Sequence, residues 1–201
     1  MRSGREANRL SVFLNVPFDR DYEPLFVALI SALAALGRTP RSVLEVPEQG
    51  DGRLARIFSL IRQCPVSIHD LSRVELPVRF NMPFELGIAV ALSRIERTHK
   101  FVLLEAKRHR LQKTLSDVNG IDPGIHNAAV RGVISCVLSH LGESQGNPDA
   151  KIAARIHRQL WKTISSLKVI HGRANIYSRS IFTELVAGAT SLAKKEGLVV
   201  N

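Results

Sequence analysis

One glutamate stands alone in a run with no other charge. In FNMPFELGIAVAL (80–92), Glu85 is the only charged residue. The run predicts a buried helix over 83–94, with Asn81 as its N-cap and Pro83 in the first turn. A carboxyl on such a helix must be paired, protonated or turned toward a cleft. Placed near the helix start, it stands close to the positive end of the helix dipole. Two further polar clusters follow apolar runs: Asn15 to Asp21 after SVFLNV, and His69 to Arg73 at the end of PVSIHD. Around a catalytic Glu85, the candidate substrate-binding residues are Asn15, Phe18, Asp19, Asp70, Ser72, Arg73, Asn81 and Met82. His69 alternates with Ile68 and reads equally as a satisfied core histidine or a site group. Cys64 and Cys136 sit in helical apolar patterns and read as packing residues.

These loops need a scaffold, and the chain spells one. SVFLNV (11–16), RSVLEV (41–46), PVSIHD (65–70) and KFVLLE (100–105) read as strands. Helical patterns over 25–37, 52–64, 83–94 and 127–141 lie between and after them. This alternation predicts an α/β fold, a flavodoxin-like parallel sheet with helices on both faces. A fifth strand is expected between 118 and 128. Ligands bind such sheets outside the carboxyl ends of the strands, so the loops carrying the candidates are expected at one edge. GESQGNPD (142–149) reads as a linker, with Asn147 and Pro148 starting another helix. In that helix Ile152, Ile156, Leu160, Ile164 and Leu167 form one stripe. The expected division is an α/β domain at 9–141 and a helical C-terminal extension at 147–201. The extension is expected to mediate self-association or to hold a partner protein, and to be removable from a soluble core.

Composition narrows the chemistry further. The chain has 201 residues, 28 Lys and Arg against 18 Asp and Glu, for a net charge of +10. That balance favours anionic partners. Residues 151–201 hold nine basic residues against Glu184 and Glu196. Aromatics are only 5%, and no zinc spacing or helix-turn-helix is visible, so no sequence-specific nucleic-acid binding is expected. GxxxxGK[ST], GxGxxG and GxSxG are absent, and no metal site is indicated. Two cysteines, no apolar leader and no run near ~18 apolar residues predict a cytoplasmic protein without a membrane span.

The loops also carry a family pattern. Asn15-Val16-Pro17-Phe18, a strand ending in Asp70, and Phe84-Glu85-Leu86-Gly87 resemble nucleoside 2-deoxyribosyltransferases. They are also similar to Toll/interleukin-1 receptor (TIR) domains that cleave NAD on a flavodoxin-like fold. The resemblance spans residues 10–128; Asn15-Val16 replaces the glycine of the usual first loop, and Phe-Asn-Met-Pro precedes Glu85 in place of a small-residue turn. It implies cleavage of an N-glycosidic bond, with Glu85 catalytic and NAD or a nucleoside as substrate rather than any bound cofactor. NAD glycohydrolysis in bacterial defence is the first expectation. Nucleoside deoxyribosyl transfer, or a non-catalytic nucleotide-sensing or adaptor module, is the alternative. Arg20 and Arg73 are expected to suit phosphates, hence a dinucleotide.

Overall fold

Short apolar runs form strands here because both their faces are covered. β1 (Ser11–Asn15) and β3 (Val66–Asp70) are buried at every position. β2 spans Thr39–Ser42, β4 Lys100–Glu105 and β5 Gly124–Ile125. The computed structural model describes residues 9–46, 52–73, 80–97, 99–115, 120–142, 148–172 and 174–198. The strands form a five-stranded parallel sheet in the order β2-β1-β3-β4-β5, the flavodoxin-like order. Registers are regular: Asn15 lies opposite His69, and Asp70 opposite Leu104.

The helices are α1 (Glu23–Ala35), α2 (Arg53–Gln63), α3 (Asn81–Ile95), α4 (Val130–Leu141), α5 (Ala150–Ile170) and α6 (Arg179–Lys195). A single helical turn lies at Leu111–Thr114. The second expected strand, 41–46, is corrected: pairing ends at Ser42 and a 3-10 turn follows at Val43–Glu45. The cause is local. Ser42 and Glu45 form a capping box, and Arg41 holds Glu45 at 2.8 Å, so the backbone turns despite its β-branched residues. The expected linker falls largely on 143–147, outside the described residues. Asp149, not Asn147 or Pro148, caps α5 by accepting from the Lys151 N–H at 2.8 Å.

The chain clusters into two compact units, residues 1–17 with 41–127, and residues 18–40 with 128–201. This division differs from 9–141 and 147–201: α1 and α4 group with α5 and α6. In the first unit, Phe13 of β1 packs with Ile57, Leu60 and Ile61 of α2 and with Ala89 and Leu92 of α3. A second cluster joins Leu71, Met82, Leu86, Leu103 and Leu111.

The second unit is built around α1, whose residues from Leu25 to Ala35 are all buried. Such a helix needs cover on every side, and α4, α5 and α6 all pack on it. Phe26 meets Phe18, Tyr177 and Phe182 at ring distances of 6.4, 5.2 and 5.9 Å. Lys168 of α5 holds Glu23 at 3.1 Å, and His157 donates to the Pro24 carbonyl at 3.2 Å. Gly188 of α6 is a close-approach position, since a Cβ there would stand 3.1 Å from Leu160 Cδ2. A chain ending at Gly142 would uncover the faces of α1 that α5 and α6 occupy. The expected product is aggregated, not a soluble core, and a monodisperse, cooperatively melting fragment in size-exclusion and thermal scans would contradict this.

Candidate active site at the junction of β1 and β3

β1 and β3 are neighbours in the sheet although β2 lies between them in sequence, so the connections leave them in opposite directions. In open α/β sheets the crevice beyond the carboxyl ends at such a switch is where ligands bind. Asn15 ends β1 and Asp70 ends β3.

Glu85 lies on α3, and the helix presents it inward. The buried stripe of α3 is Met82, Glu85, Leu86, Ala89 and Leu92, while Phe80 and Phe84 are 77% and 55% exposed. α3 therefore buries one stripe rather than its whole surface, and it puts an acid inside and phenylalanines outside. Asn81 is not the N-cap. It is the first helical residue; Phe80 occupies the cap position in helical geometry without a side-chain bond. The Asn81 side chain instead hydrogen-bonds to Glu85 one turn on. Burial raises the Glu85 carboxyl to about 7, against the opposing pull of that bond and of the Arg53 charge. Near neutral pH, Glu85 exchanges between proton donor and carboxylate.

A raised acid has a stability consequence with a definite sign. Between about 4.5 and 7 the folded chain binds more protons at Glu85 than the unfolded chain does. Rising pH therefore costs stability across that window and no more above it. Glu85→Gln, which retains a hydrogen-bonding side chain, is expected to gain stability over wild type from pH 5 to pH 7. The limiting gain is about 3 kcal/mol. Urea titrations of both proteins at pH 5, 6, 7 and 8 measure it; a pH-independent difference would show that Glu85 is ionised throughout.

Asn15 belongs to a buried relay. Its Nδ2 donates to the Met82 carbonyl at 2.8 Å and to His69 Nδ1 at 3.0 Å. An amide nitrogen only donates, so His69 Nδ1 accepts and the proton sits on Nε2. His69 Nε2–H then donates to Ser67 Oγ at 2.8 Å. Ser67 donates to His99 Nε2 at 2.9 Å, and His99 Nδ1–H donates to the Cys64 carbonyl at 2.8 Å. One consistent direction of donation requires both rings neutral. Burial agrees: it pushes His69 down to about 3 and lowers His99. His69 is thus a satisfied core histidine, fully buried, that fixes the Asn15 amide. Asn15 in turn ties the end of β1 to the first turn of the helix bearing Glu85.

A second cluster closes the ends of β3, β4 and β5. Asp70 Oδ1 accepts from the Ser72 hydroxyl and from the Ser72 N–H, the latter at 2.9 Å. His126 Nε2 lies 3.1 Å from Asp70 Oδ2 and 3.0 Å from Ser72 Oγ. Glu105, buried at the end of β4, pairs with Arg110, which also donates to the Ser72 carbonyl. Ser72, His126 and Asp70 do not form a hydrolase triad. Both oxygens approach the same ring nitrogen, whereas a triad places serine and aspartate on opposite nitrogens.

The structure thus joins Asn15 to Met82, Asn81 to Glu85, and Asp70 to Ser72, with Arg73 half-buried beside them. Phe18 and Asp19 fall in the second unit. There Phe18 packs 5.0 Å from Tyr177, and Asp19 accepts the Tyr22 N–H at 3.1 Å while its carbonyl takes the Tyr177 hydroxyl at 2.7 Å. Arg20 lies exposed in the adjoining 3-10 turn. Glu105, Arg110 and His126 were not among the sequence candidates. Glu105 had a signal, an acid ending an apolar strand as Asp70 does. Among the described residues, no group of His, Cys, Asp and Glu is arranged to hold a metal. No family model, curated protein or solved structure matches the chain.

Proposed function

We propose that the first unit cleaves the N-glycosidic bond of a nucleotide, with NAD as substrate and Glu85 as the reacting carboxyl. The observation that carries this reading is the buried Glu85 near the start of α3, the helix whose Met82 carbonyl is held by Asn15 at the carboxyl end of β1. In NAD the C1′–N bond breaks with its electron pair passing to the cationic nicotinamide nitrogen, which leaves neutral. The Glu85 carboxylate stabilises the ribosyl cation or adds to C1′. Water then attacks C1′ and loses a proton, giving ADP-ribose, nicotinamide and one proton. Asn15 and Asn81 contribute position, one by anchoring the helix start and the other by holding the carboxyl. Consumption of NAD in this way suits the defence role that the family resemblance implies.

Transfer or hydrolysis of a nucleoside is the second reading. A neutral nucleobase needs a proton to leave, and a carboxyl titrating at about 7 can supply one. Incubating the protein with NAD and with a nucleoside panel, and separating released bases by chromatography, decides between them. Nicotinamide release supports the first reading. Release from nucleosides alone replaces it with the second, and release from neither leaves a binding module.

A further inference from the structure

α5 carries a feature that the proposed reaction does not use. Its 21 residues include Lys151, Arg155, Arg158, Lys162 and Lys168 and no acid. At ~100° per residue, the first four fall within an arc of ~60°, opposite the buried Ile156, Leu160 and Ile164. All four are exposed, and they run along ~16 Å of helix. Lys168 stands off the row and is taken by Glu23. Spacings of three and four residues make these cations direct neighbours, and like charges at that spacing disfavour the helix. Among the described residues, the acid paired into the row is Glu196, which stands 2.6 Å from Arg155 and follows Lys194 and Lys195 at the end of α6. Asp149 caps the far end.

We propose that this row docks the phosphodiester backbone of a nucleic acid without reading its sequence. A straight, regular line of positive charge on a rigid rod fits a polymer that carries one negative charge per ~1.7 Å of duplex axis. The guanidinium groups of Arg155 and Arg158 suit phosphate oxygens. An acidic protein fits less well, because protein interfaces centre on apolar residues and deplete charge there. Ala154, Gln159 and Ser165 flank this row, and the exposed Trp161 stands at one edge of it, outside the line of charge. A lipid surface also fits less well, since the apolar stripe Ile156, Leu160 and Ile164 is buried within its own unit, and the exposed Val169 and Ile170 lie past the end of the row at the last turn of α5.

The test is fluorescence anisotropy of the full chain with a labelled 20-base-pair duplex of arbitrary sequence, titrated between 50 and 300 mM salt. Binding should weaken steeply with salt and should not distinguish a scrambled duplex. Replacing Lys151, Arg158 and Lys162 with Gln should lower affinity at least ~10-fold at 100 mM salt. It should also make the logarithmic salt slope shallower by about 2.7, at ~0.9 per lost contact. A control with the same change in net charge, R94Q/K100Q/R131Q, should stay within about twofold of wild type. Equal losses in both variants would show only general attraction and overturn the proposal. So would absence of binding at 50 mM salt, tenfold preference for one sequence, or tighter binding to phosphatidylserine vesicles or polyglutamate than to the duplex. Melting curves should show the row variant at least as stable as wild type.

Discussion

Glu85→Gln is expected to lose base release by at least ~100-fold while keeping its fold and size. Removing one preorganised group that meets developing charge costs about 3 kcal/mol or more in the transition state. The substitution is nearly isosteric, and an amide at 85 retains a polar partner for Asn81. Loss of activity therefore cannot be ascribed to a cavity. The wild-type pH profile adds an independent reading. For NAD, whose leaving group is already cationic, the carboxylate form is needed, and kcat/KM should rise through about 7. For a neutral nucleobase the protonated form is needed, and the rate should fall through the same value. A Glu85→Gln protein that releases base as fast as wild type would remove Glu85 from the chemistry.

The second large effect is on stability. His69 is fully buried and both ring nitrogens are engaged. His69→Ala removes a ring from a close-packed interior and leaves one Asn15 amide hydrogen and one Ser67 lone pair without their present partner. Cavity and unsatisfied groups together should cost about 3–5 kcal/mol. For a chain of this length that is a fall of roughly 6–20 °C in Tm. The pH dependence carries the opposite sign to that of Glu85. The folded His69 stays neutral down to about 3, while the unfolded one takes a proton near 6.5. Its contribution is complete above about 6.5 and is lost as pH falls toward 3. The gap between wild type and His69→Ala should therefore narrow from pH 7 to pH 5. Thermal and urea melts at both values measure it; a change under 1 kcal/mol would show that the relay adds little.

Sequence reading reached far into the fold because buried parallel strands and one-sided helices leave plain patterns. KFVLLE matches β4 residue for residue, and SVFLNV and PVSIHD each exceed their strands by one residue. RSVLEV misled because the Ser42–Glu45 capping box overrides β propensity. The pairing lies two residues earlier, where Pro40 is tolerated on an edge strand. Glu85 was legible because charge is rare in its surroundings. The inference of an all-round buried helix was too strong, since Phe80 and Phe84 face outward. Residues brought together by register were not legible. His126 approaches Asp70 from the far side of β4, and no local pattern marks it. The relay from Asn15 to Cys64 depends on side-chain geometry across two strands and a loop, which periodicity does not encode.

The cover of α1 has a consequence for biosynthesis. α5 begins roughly 115 residues after α1 ends, so a ribosome adding ~5–20 residues per second makes α1 about 6–23 seconds before its partner. During that interval the faces destined for α5 and α6 have no native neighbour from those helices. A nascent chain in this state is a natural client for a chaperone that binds apolar helices. A pause or premature stop between Gly142 and Asp149 would leave it sticky for as long as synthesis is stalled.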